Sequence, residues 1–164
     1  MAELTNLESK LGEVLGLAMA AQGATEKVSK LDDLDGDLAK KLQQMHKEAK
    51  ETEERATEVA GSFDGKKTAI LEEAREVKQK ATEMMSDYLD KEADALDGFE
   101  FLTMAEAGEV GHWEILKTLN DRARNAELDQ LCDWAIPIQQ RHFEDVRAGS
   151  LKLAAEEDPN ETNG

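Results

Sequence analysis

The chain matches itself at an offset of 96 residues, and this internal repeat constrains its fold more than any other feature of the sequence. Segment 37–48 aligns with segment 133–144, and six of the twelve positions are identical. Unrelated segments of that length would share about one. Gly12-Glu13-Val14 matches Gly108-Glu109-Val110 in the same register. The repeat therefore predicts two similar structural units joined by a middle segment.

Both units are predicted to be helical, giving an all-α protein. Ala, Glu, Lys, Leu and Arg make up about half of the 164 residues, which is typical of long helices. Thr5-Asn6-Leu7-Glu8 has the form of a capping box, a signal that begins a helix. Breaks in the helical pattern predict one domain, 1–155, made of a hairpin at 5–62, a crossover helix at 66–96 and a hairpin at 99–155. A disordered acidic tail is predicted at 156–164.

Charge and cysteine content exclude several classes of function. Thirty-seven acidic and twenty basic residues give a net charge of −17. Phosphate backbones and anionic membrane surfaces attract clustered Lys and Arg, so we expect neither nucleic acid nor membrane as a partner. One cysteine, Cys132, excludes an intramolecular disulfide framework and suits a reducing compartment. With no pattern of a signal peptide at the start, these features predict a cytoplasmic protein.

Each unit offers a Glu on one predicted helix and a Gln-x-x-His on the next. Glu13 precedes His46 by 33 residues, and Glu109 precedes His142 by the same number. The midpoint of the second pair falls at Asn125, where a tight turn is predicted, so antiparallel helices would bring its members to one height. The first pair would be staggered by about one helical turn if its own turn lies further along the chain.

The third histidine belongs to the same pattern. His112 follows Glu109 by three residues, and residues with that spacing share a helix face. Glu13 is the only charged residue between Lys10 and Glu26. Burying a carboxylate there is costly without a partner or a metal ion. The repeated Glu and His residues are therefore candidate metal ligands.

This pattern resembles the ferritin-like four-helix-bundle superfamily, in which a Glu and a Glu-x-x-His recur in two hairpins around a pair of metal ions. The Gly-Glu pairs are similar to the rubrerythrin branch, and Gly111-His112-Trp113-Glu114-Ile115 with the long middle helix is similar to the YciE/YciF-type proteins. The resemblance covers roughly residues 5–155. It implies an up-down-down-up bundle with an extra helix in the crossover.

The resemblance also implies a function. A metal ion, iron or else Mn or Zn, would lie between the helices, held by Glu13, His46, Glu109 and His142, with His112 as a further candidate. If the protein is an enzyme, it would be a ferroxidase- or peroxidase-like oxidoreductase. It would act with a small oxidant in iron handling or oxidative-stress defence. A homodimer is compatible with such bundles.

One departure weakens the implied site. Gln43 and Gln139 stand where the family has the glutamates that bridge two metals. Neutral Gln is a weaker ligand than Glu, so the sequence predicts a reduced affinity for metal, or one ion in place of two. Both glutamines would then be weak ligands or groups that orient the histidines. The alternative is a non-catalytic bundle that has lost its metals and acts as a structural or interaction protein, in which Glu–His pairs replace the ions.

Residues near this pattern receive other predictions. Trp113 is expected in the core, and Cys132 is expected to be a small core residue. Helical spacing places Glu48, Glu106 and Glu144 off the ligand faces, where they are predicted to be solvated or to orient ligands.

Overall fold

A computed structural model describes residues 2–163, and within them every regular element is an α-helix. The five helices run over the following ranges: α1 Asn6–Ser29, α2 Gly36–Gly61, α3 Lys67–Tyr88, α4 Ala95–Ala123 and α5 Ala126–Ala155. The all-α prediction is confirmed. The described part of the predicted tail, 156–163, follows α5 and is not helical. None of these helices has the length and apolar character that crossing a lipid bilayer requires.

Four of the five helices begin at a side-chain cap, which supplies acceptors for the first backbone N–H groups. The predicted capping box is present, because the Thr5 side chain accepts from the Glu8 backbone and Glu8 accepts from that of Thr5. Asp35 and Asn125 cap α2 and α5. The predicted tight turn at Asn125 is therefore confirmed, with two residues between α4 and α5.

The predicted boundary between the crossover helix at 66–96 and the hairpin at 99–155 is wrong, because Asp97 and Gly98 both lie inside α4. Asp94 begins α4 with a second capping box that uses Asp97, and the crossover helix ends earlier than predicted, at Tyr88. Gly98 is needed for packing: a Cβ there would lie 2.8 Å from Cγ1 of Val28 on α1. A helix-breaking residue in the sequence is thus a point of close helix contact.

Helices α1, α2, α5 and α4 surround a common core in that order, and each contacts the next around the ring. Neighbours in the ring run antiparallel. Lys41 at the start of α2, for example, pairs with Asp145 near the end of α5, with 3.1 Å between Nζ and Oδ1. Helix α3 lies outside the ring and packs mainly on α1.

The contact between α1 and α3 depends on two glycines. A Cβ on Gly16 would lie 2.4 Å from the backbone oxygen of Ala74, and one on Gly12 would lie 2.8 Å from Cγ of Glu73. Gly12 lies opposite 70–73 and Gly16 opposite 74–77, so the two helices run parallel. Small residues one turn apart let the helices approach more closely than side chains would allow.

A layer of polar side chains divides the core into two apolar clusters. One cluster contains Leu11, Trp113, Leu116 and Leu131, and the other contains Val28, Leu42, Phe99 and Leu102. Between them lies the polar layer, which we define as Glu48, Glu106, Glu109, Gln139 and His142. Helix α1 contacts α4 through Glu13 and His112 on one side of this layer and through Val28 and Gly98 on the other. Between these contacts α1 contributes Ala18 and Ala21, which are buried. Helices α2, α4 and α5 therefore supply the whole polar layer.

Candidate functional site

The structure does not bring the four predicted metal ligands together. Glu109 and His142 lie in the polar layer, whereas Glu13 and His46 lie outside it, in two different places. His46 contacts α1 at Gln22 and Thr25. Glu13 precedes Gln22 by nine residues, which is about 14 Å along a helix. The stagger of this pair is therefore much larger than the single turn expected from the sequence.

Glu13 lies at the α1–α4 edge and is neutralised there by other side chains. Its Oε2 atom is 2.5 Å from Nζ of Lys10 and 3.2 Å from Nδ1 of His112, and 29% of its side chain is exposed. His112 thus turns toward α1 and contacts Glu13, although its spacing predicted a common face with Glu109. The isolated carboxylate in an apolar run therefore reaches solvent and the ammonium group of Lys10.

His46 lies at the rim of the bundle, where its ring is bonded to α1. Its Nδ1 atom is 2.9 Å from the backbone oxygen of Gln22 and 3.3 Å from Oγ1 of Thr25. Gln43 is exposed on the preceding turn, and the two residues line an open groove. The first Gln-x-x-His therefore faces the outside of the α1–α2 hairpin.

The second copy of the pattern points into the core. Gln139 of α5 donates through Nε2 to Oε2 of Glu109 on α4, and both side chains are buried. His142, one turn further along α5, is also buried. Glu109, Gln139 and His142 are thus buried between the helices, and Gln139 and His142 hydrogen-bond to carboxylates of neighbouring helices.

His142 is held from both sides of its ring. Its Nε2 atom is 2.9 Å from Oε1 of Glu48 on α2, and the same carboxylate accepts from Arg141 at 2.9 and 2.6 Å. Its Nδ1 atom lies 3.9 Å from Oε2 of Glu106 on α4, which is too long for a hydrogen bond. Glu48 and Glu106 therefore meet opposite edges of the imidazole.

Burial and neighbouring charges set the protonation of this layer. Burial opposes ionisation of Glu48, but hydrogen bonds from Arg141 and His142 outweigh it and lower the Glu48 pKa to about 2. Burial alone raises the pKa of Glu106 to about 8. The pKa of Glu109 is raised well above its usual value, first by burial and then by the charge of Glu106.

At neutral pH the Glu48 carboxyl is therefore ionised, whereas burial favours the protonated forms of Glu106 and Glu109. Burial lowers the pKa of His142 despite the neighbouring Glu48, so the ring is neutral and Nε2 is the protonated nitrogen that donates to Glu48. This assignment leaves Nδ1 as an acceptor facing Glu106. Oε2 of Glu106 is buried and makes no hydrogen bond to any residue of 2–163.

Sequence reasoning missed Glu106 and Glu48. Glu106 was predicted to be solvated or to orient a ligand, but it is fully buried at 1% exposure. The sequence did contain an indication that Glu106 is buried, because it precedes Glu109 by three residues and shares its helix face. Glu48 gives no such signal: its counterpart in the repeat, Glu144, is exposed and pairs with Arg147. Trp113 and Cys132 are buried in the core, as predicted.

The predicted set of ligands does not fit a metal ion. Across residues 2–163, no three His, Cys, Asp or Glu side chains are placed so that they could hold one. Two features account for this: Glu13 and His46 are far from the polar layer, and Glu48 and Glu106 face opposite nitrogens of His142. One ion cannot contact both edges of one ring.

Comparisons with known protein families, with characterised proteins and with solved structures find no match to this chain. The ferritin-like assignment therefore stays a prediction from the sequence.

Proposed function

We propose that this chain is a non-catalytic structural or interaction protein, a ferritin-like bundle whose polar layer fixes the register of its helices without a metal ion. The observation that carries the proposal is the separation of the four predicted ligands. Glu13 contacts Lys10 and His112, His46 contacts the backbone of α1, Glu109 contacts Gln139, and His142 contacts Glu48.

The chemistry of the layer supports this role. Most of its polar groups are paired across helices: α4 with α5 through Glu109 and Gln139, and α2 with α5 through Glu48 and His142. Sliding one helix against another would leave such groups buried and unpaired, which costs about 1–3 kcal/mol for each group. A paired polar layer therefore favours one alignment of the helices.

Helix α1 also supports a bundle without metals. The ferritin-like di-metal pattern draws a ligand from each of the four helices, but α1 carries Ala18 and Ala21 at the height of the polar layer. Its only carboxylate between Lys10 and Glu26 lies at least five residues earlier, at Glu13.

A single divalent ion in the α4–α5 half is the second candidate function, and one observation favours it. Oε2 of Glu106 is buried without a hydrogen-bond partner, beside Glu109 and 3.9 Å from Nδ1 of His142. A cation held by Glu106 and His142, with water as its other ligands, would satisfy that oxygen, while Glu48 would orient the imidazole from its other edge. The oxidoreductase activity implied by the resemblance would depend on such an ion.

Thermal stability with and without metal tests the proposal. Thermal melts of chelator-treated protein are recorded without metal and with about ten equivalents of Mn(II), of Zn(II), or of Fe(II) under anaerobic conditions. Elemental analysis then measures the metal that each sample retains after desalting. We expect no retained metal and a change in Tm below about 1 °C. An ion at a hundredfold excess over its Kd would add about 2.7 kcal/mol of stability, which corresponds to a rise of about 5–10 °C.

Two matched variants distinguish the ligand sets. Glu106→Gln removes the unpartnered carboxylate of the polar layer, and Glu13→Gln removes the carboxylate at the α1–α4 edge. Retained metal that is lost in Glu106→Gln alone would overturn the proposal in favour of the second candidate. Retained metal that is lost in Glu13→Gln would instead restore the ligand set predicted from the sequence.

A further inference from the structure

The outer face of α4 carries almost no charge. Charged residues make up 35% of the chain, yet the exposed positions of α4 between Glu100 and Asp121 include only one, Glu114. The Lys117 side chain is also 42% exposed, but it pairs with Asp133 on α5. The other exposed positions are Met104, Ala107, Gly108, Gly111, Ile115 and Thr118. Met104 is 42% exposed and Ile115 is 48% exposed. A helix that is apolar on both faces is usually covered on both.

Helix α2 provides the contrast within the same bundle. Its exposed face carries charged or amide side chains at almost every position: Lys40, Lys41, Gln43, Gln44, Lys47, Lys50, Glu51, Glu54, Arg55 and Glu58. That composition is typical of a helix face in water. The outer face of α4 therefore differs from a solvated face of this protein.

Two exposed glycines in the middle of α4 have no packing role within the chain. A Cβ on Gly108 or Gly111 would meet no atom within 4 Å, and glycine in a helix interior is destabilising relative to alanine. The corresponding glycine of the repeat in α1 is Gly12, and its lack of a side chain allows α3 to pack closely against α1. A second helix lying on Gly108 and Gly111 would give these glycines the same role.

The exposed residues of α4 are arranged symmetrically about the midpoint between Glu109 and Val110. Three pairs are equidistant from it: Gly108 with Gly111, Met104 with Ile115, and Asp97 with Arg122. Successive spacings along this set are 7, 4, 3, 4 and 7 residues, which keeps all six on one helix face. The outermost pair is of opposite charge, so the stripe is complementary to itself when one copy is reversed.

We propose that α4 pairs antiparallel with α4 of a second copy of this chain, across a two-fold axis that passes between Glu109 and Val110. An isologous interface requires a self-complementary surface. In this arrangement Asp97 of each copy meets Arg122 of the other, Met104 meets Ile115, and the glycines cross at the centre.

The neighbourhood of Met104 fits this arrangement. A shallow groove of about 150 Å³ is lined by Tyr88, Asp97, Glu100, Phe101 and Met104. Tyr88 is 60% exposed and its ring centroid lies 6.0 Å from that of Phe101. Ile115 of the second copy comes level with Met104, where its side chain enters the groove.

The charges at the ends of the stripe are available. Arg122 takes part in none of the ion pairs formed among residues 2–163. Asp97 is exposed and uses Oδ2 to accept from the backbone of Asp94, which leaves Oδ1 for a second partner. The inference holds whether or not the polar layer binds a metal ion.

Sedimentation equilibrium of the full chain tests the dimer. Each copy carries −17, so the measurement is made at about 0.3 M salt, where repulsion between copies is screened. One pair of helices lies at the small end of specific interfaces, and we expect a Kd in the micromolar range. Between about 5 and 500 µM the mass should rise from 18.2 kDa toward twice that value.

Two substitutions of exposed apolar residues give the decisive contrast. Ile115→Glu places a charge in the stripe and should weaken the dimer by at least about thirtyfold. Leu151→Glu changes a residue that is 61% exposed on α5 and should leave the Kd unchanged. A wild type that stays monomeric at 500 µM overturns the proposal, as does a dimer that is weakened by Leu151→Glu and not by Ile115→Glu.

Mixing two charge variants tests the antiparallel register. Asp97→Arg and Arg122→Asp should each weaken self-association about tenfold, because both ends then bring like charges together. An equimolar mixture should regain most of the affinity, since the two chains together restore an opposite pair at each end. A mixture no tighter than the weaker variant alone overturns the register. Circular dichroism of each variant verifies that α4 still forms.

Discussion

The two copies of the repeated Glu and Gln-x-x-His pattern lie in different surroundings. In the α4–α5 hairpin, Glu109 bonds to Gln139 and His142 is buried between α2 and α4. In the α1–α2 hairpin, Glu13 lies at the edge beside Lys10, and His46 lies at the rim. Two segments with the same Glu and Gln-x-x-His pattern thus form a buried layer in one hairpin and separate surface contacts in the other.

The difference arises from what surrounds each hairpin. The α4–α5 turn has two residues, which fixes the height of each residue on one helix relative to the other. The α1–α2 connection has six residues, and α1 packs against α2, α3 and α4 together. Gly12 and Gly16 hold α1 against α3, so the apolar contacts of three helices decide which residues of α1 reach the polar layer.

Replacing the two histidines should give the largest contrast between the hairpins. His142→Ala leaves a cavity and removes the Nε2 donor from the half-buried carboxylate of Glu48, so we expect a loss of about 3 kcal/mol in unfolding free energy. His46→Ala removes one contact with the backbone of α1 at the rim and should cost less than about 1 kcal/mol. Urea unfolding at pH 7, followed by circular dichroism, measures both. Equal losses would mean that the two copies are equivalent after all.

The pH dependence of stability should originate in the polar layer. The pKa of Glu106 is about 8 in the folded protein and about 4.5 in the unfolded chain. Its contribution to stability is therefore complete below about pH 4.5 and is lost as the pH rises toward 8. Glu106→Gln should flatten this slope and raise stability at pH 8 by on the order of 2 kcal/mol.

Glu48 provides the opposite control. Its pKa is lowered to about 2, so its contribution is present above about pH 4.5 and is lost as the pH falls toward 2. Glu48→Gln should therefore lower the unfolding free energy at pH 7 and make its decrease smaller as the pH falls toward 2. Urea unfolding at pH 3, 5, 7 and 8.5 separates the two variants, and parallel pH profiles for both would contradict the assigned protonation states.

The paired glycines of the repeat should respond with opposite signs. Gly12→Ala puts a Cβ 2.8–3.0 Å from Glu73 and Ile70, so we expect a loss of about 1–2 kcal/mol. Gly108→Ala meets no neighbour in the same chain and should gain about 0.5–1 kcal/mol of monomer stability from its helix propensity. Unfolding is followed at low protein concentration to exclude self-association. A gain in both variants would contradict the close contact between α1 and α3.

The smallest effect is expected in the α4–α5 turn. Arg124 has a φ of 57°, in the left-handed region that favours glycine at a helix end. Arg124→Gly should raise the unfolding free energy by about 0.5 kcal/mol, because the relief of strain exceeds the greater freedom of glycine in the unfolded chain. Thermal melts compare it with Arg122→Gly, which lies within α4 and should be destabilised.

Local signals predicted the helices and the second hairpin well. The capping box at Thr5 and the turn at Asn125 depend only on nearby residues, and both are present. Helical spacing also predicted which side of α4 and α5 is buried. Because only two residues connect these helices, the position of a residue along α4 fixes which residues of α5 lie at the same height. Trp113 and Leu116 are accordingly in the core.

Long-range packing could not be predicted in the same way. The position of Glu13 depends on α3, whose contact with α1 joins residues 58 positions apart, as Gly16 and Ala74 are. Gly98 indicated a break in the helix because its contact with Val28 is invisible in the local sequence. Glu106 could have been placed by its spacing from Glu109, whereas Glu48 could not, since the repeat pairs it with an exposed residue.

The short turn at Arg124-Asn125 also bears on how the chain folds. Asn120 exchanges two hydrogen bonds with the backbone of Asn125, each 3.0 Å long, so this turn is closed by residues only five apart. Contacts between α1 and α3 require a loop more than ten times longer to close, and loop closure slows the formation of distant contacts. The α4–α5 hairpin is thus expected to assemble early, and α1 and α3 to complete the bundle by docking on it later.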